Sequence, residues 1–130
     1  MRRSYNSVLF LAAGVAIGLA ASGAIRAQQP KEPAGYLIAE VQVHDPATFK
    51  KYAAQVPATL APFGGKYLVR AGKITPVEGD APKGTVVVTA FDSVARAKAW
   101  EHSQAYEAIK PLRHKSATSR VFIVQGVAAQ

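Results

Sequence analysis

At 130 residues, with 49% hydrophobic content, the chain has room for one hydrophobic core and not for two. It has no cysteine, which excludes disulfides, thiolate chemistry and cysteine-ligated zinc or iron–sulfur centres. Sixteen basic residues against eight acidic ones give a formal charge of +8. The bases are scattered, with no Lys/Arg run interleaved with aromatics, so the surplus argues against nucleic acid and fits an attraction for small anions.

Residues 1–27 have the three parts of an export signal: Arg2 and Arg3, an apolar run from Val8 to Ala21, and small residues up to Ala27. The run is shorter than the ~20 residues a membrane span needs. Cleavage after Ala27 is expected, leaving no membrane anchor and an exported protein, periplasmic or secreted. Three of the bases, Arg2, Arg3 and Arg26, leave with that segment. Residues 28–34, with Pro30 and Pro33, read as a linker, residues 35–127 as the domain and 128–130 as a tail.

From Tyr36 to Val43 polarity alternates. Leu37, Ala39, Val41 and Val43 are set to face helices, and Tyr36, Ile38, Glu40 and Gln42 the opposite side. Asp45-Pro46 supplies an N-cap and a first-turn proline for a helix carrying Phe49, Tyr52, Ala53, Val56, Leu60 and Phe63 on one side. Pro57 removes a hydrogen bond from that run, so a kink or break is expected near Val56. Gly64-Gly65 ends the helix, and a second strand follows, with Lys66, Leu68 and Arg70 on one face by alternation and Tyr67, Val69 and Ala71 on the other.

Residues 72–84 read as a long arm anchored by Ile74 and Val77. Thr85–Phe91 is the most apolar strand and should be central. Asp92-Ser93 caps a second helix through Val94, Ala97 and Trp100, and Ser103 starts a short turn reaching Pro111. Residues 112–118, including Arg113-His114-Lys115, read as a loop before a last strand from Arg120 to Val127. The order βαββαβ is the α+β, ferredoxin-like arrangement: a four-stranded antiparallel sheet with two helices on one face. The bare face would carry Tyr36, Ile38, Leu68, Val86, Val88, Phe122 and Val124. That much exposed apolar surface predicts a homodimer packed sheet to sheet as an α/β barrel.

His44, His102 and His114 show no metal-ligand spacing, and no nucleophile elbow, phosphate loop or dinucleotide fingerprint is present, so no cofactor is expected. Arg70, a fixed cation in an apolar strand, has two readings. It forms an ion pair with Glu40 across the mixed face, or it anchors a carboxylate or enolate with Arg113, His114 or Tyr36 nearby. Trp100 and Tyr106 read as core or pocket wall.

Between residues 35 and 127 several landmarks stand in one order: Gly35-Tyr36, Asp45-Pro46, Gly64-Gly65-Lys66-Tyr67-Leu68-Val69-Arg70, Glu78-Gly79-Asp80, Trp100 with Ser103 and Tyr106, Ile109-Lys110-Pro111-Leu112-Arg113, and Gly126. In these the chain resembles the domain-of-unknown-function family 1330, of the dimeric α/β-barrel superfamily. The resemblance implies a ferredoxin-like fold and a homodimer but no defined reaction. The chain departs from the family's habit at Ala81, Ala90, Glu101 and the run Ser103-Gln104-Ala105-Tyr106, where aromatic or acidic residues and Ser-Pro-Glu-Tyr are usual. Two functions stay open: a module that binds a small anionic or aromatic molecule in the barrel cavity, and a cofactor-independent enzyme. The second rests on superfamily relatives that include monooxygenases and isomerases.

Overall fold

The alternating run at the start of the domain forms β1 (Gly35–Val43), its Leu37, Ala39 and Val41 side chains buried and every second residue half-exposed. The computed structural model describes residues 29–128. The expected export signal and its cleavage site lie outside the described residues. Among those residues, no helix is long and apolar enough to cross a membrane.

Helix α1 (Pro46–Leu60) begins where Asp45 accepts a hydrogen bond from the Thr48 amide at 3.2 Å. A 3-10 turn (Ala61–Phe63) follows, and Gly64 closes it in the left-handed conformation (φ 68°). Next come β2 (Lys66–Arg70) and β3 (Thr85–Phe91). Helices α2 (Val94–Glu101) and α3 (Gln104–Ser116) are capped by Ser93 and Ser103, and β4 (Ala117–Gln125) ends the domain. The strands pair antiparallel in the order β2-β3-β1-β4, which puts β1 and β3 in the middle. This is the ferredoxin-like α+β arrangement, its second helix divided in two at His102-Ser103.

Four local expectations are overturned. Helix α1 does not break at Pro57, because Tyr52, Val56, Thr59 and Leu60 are all buried on one side and that burial holds the helix together across the missing bond. Residues 112–116 are not a loop: α3 continues through Pro111 to Ser116, burying Tyr106, Ile109, Arg113 and Ser116 at helical spacing. Val77 anchors nothing, being 95% exposed. Arg70 does not share a face with Glu40. A bulge between Tyr67 and Val69 inserts one residue, so that Tyr67 pairs with Thr89, Val69 with Val88 and Arg70 with Val87. Tyr67 and Arg70 both therefore lie on the helix-covered side, with Leu37, Ala39 and Thr89.

The core between sheet and helices is aromatic. Trp100 stacks on Tyr106 with ring centroids 3.9 Å apart and touches Phe91 at 5.8 Å. Its indole N–H donates to Thr59 Oγ1 at 3.0 Å, and that hydroxyl donates in turn to the Val56 carbonyl at 2.7 Å. The Tyr52 and Tyr106 hydroxyls meet at 2.9 Å.

Burial, followed by the nearby Tyr106, pushes the Tyr52 phenol well above the ordinary tyrosine value of 10. The folded state thus keeps a proton that the unfolded chain releases above pH ~10. The associated stability is complete below that pH and falls as pH rises, by up to about 1.4 kcal/mol per pH unit for one such group. Urea unfolding at pH 9, 10 and 11 is expected to show this loss, and Tyr52→Phe is expected to make the decline shallower. An identical decline in the variant would contradict the assignment.

Candidate functional site

A cavity of about 130 Å³ lies between the sheet and the helices. Its floor is Leu37, Ala39 and Val41 of β1 with Thr85, Val87 and Thr89 of β3. Phe49, Tyr52, Ala53 and Val56 of α1 form one wall, and Trp100, Tyr106 and Arg113 of α2 and α3 form another. Tyr67, Arg70 and Ala71 stand at the β2 edge, where the exposure of Arg70 and Ala71 marks the mouth.

The mouth has an unusual backbone. Ala71 is the one non-glycine residue with positive φ (54°) among the described residues, and its amide bonds the Val86 carbonyl at 3.0 Å. That conformation costs a β-carbon residue about 1–2 kcal/mol; such strain gathers where a side chain must be aimed. The residue so aimed is Arg70. Its guanidinium carbon sits 4.8 Å from the centroid of the Tyr67 ring, and its Nη2 donates to the Ala53 carbonyl at 3.4 Å. In an uninterrupted α-helix that carbonyl would accept from the amide of residue 57, four positions on, but Pro57 has none. The proline that weakens α1 thus frees an acceptor at the cavity mouth, and Arg70 takes it.

Arg113 sits deeper. It is only 8% exposed, its Nε is buried with no hydrogen-bond partner, and among the described residues no carboxylate lies within ion-pair distance of it. The cavity lining contains two arginines and no Asp, Glu or His. Burial also pushes the Tyr67 phenol up, with Arg70 opposing, so neither Tyr52 nor Tyr67 is inclined to ionise near neutral pH.

Of the residues singled out from sequence, the fold brings Arg70, Trp100, Tyr106 and Arg113 together around this cavity and leaves the other three elsewhere. Glu40 is on the opposite face of the sheet, where Arg120, not Arg70, is its partner at 2.8 Å, and that carboxylate raises the Arg120 pKa. Tyr36 shares Glu40's face, and His114 is exposed on α3. The cavity lies inside one chain, between sheet and helices, and not on the bare sheet face where a barrel interior was expected. Tyr52 and Tyr67 were missed as site residues. Tyr52 looked like any apolar helix position, and the bulge that aims Tyr67 and Arg70 alike has no signature in the alternation.

A second group, Glu101, His102 and Glu107, brings its ligand atoms within 4.8 Å of one another on the surface. Lys110 already bridges the two carboxylates at 2.8 and 2.6 Å. Although partial burial works against it, the hydrogen bonds to Glu101 and Glu107 leave the lysine pKa raised. One cation of the protein's own thus already sits between the two carboxylates.

The fold is shared with proteins of distant sequence. RPA0582, a protein of unknown function from Rhodopseudomonas palustris, is 16% identical, with a TM-score of 0.57 over 78% of this chain and 88% of that one. SnoaB, a cofactor-independent oxygenase from Streptomyces nogalater, is 17% identical, with a TM-score of 0.52 over 75% and 95%. A conserved protein from Methanosarcina mazei Go1 is 14% identical, with a TM-score of 0.52 over 75% and 96%. No curated protein matches the sequence. The domain of unknown function DUF1330 matches residues 34–127, most of the chain, and the protein belongs to that family.

Proposed function

We propose that the protein is a small-molecule binding module whose cavity takes a compact organic molecule with an aromatic or apolar body. The observation that carries this is the cavity itself. Close-packed protein interiors rarely leave room larger than a water molecule, and here about 130 Å³ stays open between the sheet and the helices. A cavity of roughly 150 Å³ with aliphatic and aromatic walls is enough to hold benzene. Here the floor is aliphatic apart from Thr85 and Thr89, and Phe49, Tyr52, Tyr67, Trp100 and Tyr106 supply the aromatic walls.

The alternative, a cofactor-independent enzyme, draws on a fold shared with an oxygenase of that type. Fold alone does not carry chemistry, and the lining offers no carboxylate or imidazole to take a proton from a substrate. The binding reading is therefore preferred.

Trp100 is the only tryptophan and lines the cavity, so its emission reports occupancy. Titration with toluene is expected to change that emission saturably. Ala39→Leu, which fills the floor, is expected to abolish the change at a stability cost of no more than about 3 kcal/mol. An absent or non-saturating response in the wild-type protein would contradict the proposal.

The setting we infer is an exported homodimer. Ile38, Val86 and Val88 are half-exposed on the bare sheet face, beside Phe122 and Val124, which are 40% and 43% exposed. A contiguous apolar patch of this kind is ordinarily covered by a partner, and a second copy would do so by two-fold symmetry. Native mass spectrometry of protein purified from its own cells is expected to show a dimer of chains beginning at Gln28. A monomer, or a chain retaining Met1, would contradict the corresponding part of this setting.

A further inference from the structure

We infer that the occupant of the cavity is an anion, an aromatic or short-chain carboxylate, and that Arg113 is the residue that binds its head group. This rests on the reading of the cavity as a binding site and adds the chemical class of its ligand.

Removing a guanidinium from water is costly unless a counter-charge or a full set of hydrogen bonds replaces the solvent. Arg113 is more than nine-tenths buried on the last turns of α3, its Nε has no acceptor, and among the described residues no acidic side chain pairs with it. A second cation, Arg70, lines the same cavity, and the lining contributes no negative charge. A carboxylate supplies what is missing: two oxygens matching the planar fork of a guanidinium. The Tyr52–Tyr106 pair adds a donor, since two hydroxyls own two protons and their mutual bond uses one. Trp100 cannot contribute a donor, because its N–H is committed to Thr59; it offers a ring face.

The two arginines have different parts. Arg113 is fixed by burial. Arg70 is exposed at the mouth and held by a long 3.4 Å bond to the carbonyl that Pro57 leaves free. That bond is weak enough to exchange for a ligand oxygen, so Arg70 closes over an anion already seated on Arg113.

The test compares benzoate with benzamide, nearly equal in shape and different in charge, with toluene as the measure of the apolar cavity, all by calorimetric titration. The wild-type protein is expected to bind benzoate at least about tenfold more tightly than benzamide, as hydrogen bonds to a charged group imply. Arg113→Met, which keeps much of the volume, is expected to lose that preference, benzoate and benzamide then binding alike. Arg113→Lys should restore part of the preference, and Arg70→Met should weaken benzoate by a smaller factor.

Equal affinity for benzoate and benzamide in the wild-type protein would overturn the anion assignment and leave the cavity reading standing, provided toluene binds. That comparison needs no variant, so it decides the matter even if Arg113→Met does not fold. Full benzoate preference retained in Arg113→Met would overturn the role given to Arg113. Failure of benzoate, benzamide and toluene alike would overturn the binding reading and this inference together.

Discussion

Replacement of Trp100 by alanine is expected to lower unfolding free energy by roughly 3–5 kcal/mol, a large share of what holds a domain of this size together. Three losses combine. The indole is 3% exposed and packs on Tyr106 and Phe91, so truncation leaves a void next to one that already exists. Thr59 Oγ1 loses its donor, although it keeps its own bond to the Val56 carbonyl. Tyr106 loses the ring that holds it against Tyr52. Because the new void merges with the cavity, the site enlarges as the fold weakens. Trp100→Phe separates the two effects: it keeps most of the packing and is expected to cost only the hydrogen bond and a smaller void, about 1–2 kcal/mol. Urea unfolding of both variants, followed by circular dichroism because the fluorophore is gone, checks the order. Equal losses in the two would show that packing of the indole is not what matters.

Gly84→Ala is expected to be comparably severe for a different reason. Gly84 has φ 74°, a conformation that costs a residue with a β-carbon about 1–2 kcal/mol. Here there is no room for the carbon either, which would stand 2.6 Å from the Val41 carbonyl carbon and 2.9 Å from Gln42 Cα. These are backbone atoms of a central strand and cannot turn aside. The result expected is a loss of at least about 3 kcal/mol, or failure to accumulate as folded protein. Gly79 is an internal control: its φ is also positive, at 71°, but nothing lies within 4 Å of a carbon placed there. Gly79→Ala should therefore cost only the conformational part. If thermal melts of the two variants coincide, the close approach of β3 to β1 at Gly84 is not a constraint on the fold.

Much of the architecture could be read from the chain because its signals are local. Asp45-Pro46, Ser93 and Ser103 mark three helix starts by cap chemistry, and the alternation in residues 36–43 separates the buried face of β1 from the bare one. The site was harder to read because its geometry depends on irregularities. One inserted residue between Tyr67 and Val69 reverses the face of Arg70, so a strict period of two pairs it with Glu40, which belongs to Arg120. Pro57 on its own argues for a helix break, and the turn starting at Ser103 is expected to stop at Pro111, yet buried side chains on both sides of each proline carry the helices through. Continuation past Pro111 is what buries Arg113. The cavity arises from the distance between layers, which no single stretch of residues encodes.

The same irregularities connect fold to function. The bulge aims Tyr67 and Arg70 inward, the strained Ala71 fixes the edge beyond them, and Pro57 leaves the carbonyl on which Arg70 rests. Local departures of this kind are typical where a site has been built into an otherwise regular scaffold.

The most direct test is a crystal structure of the protein soaked in benzoate. Density for one benzoate between the sheet and α1 and α3 is expected, its carboxylate on Arg113 and its ring against Trp100 and Tyr106. An empty cavity at saturating benzoate, or benzoate found only on the bare face of the sheet beside Glu40 and Arg120, would contradict the account.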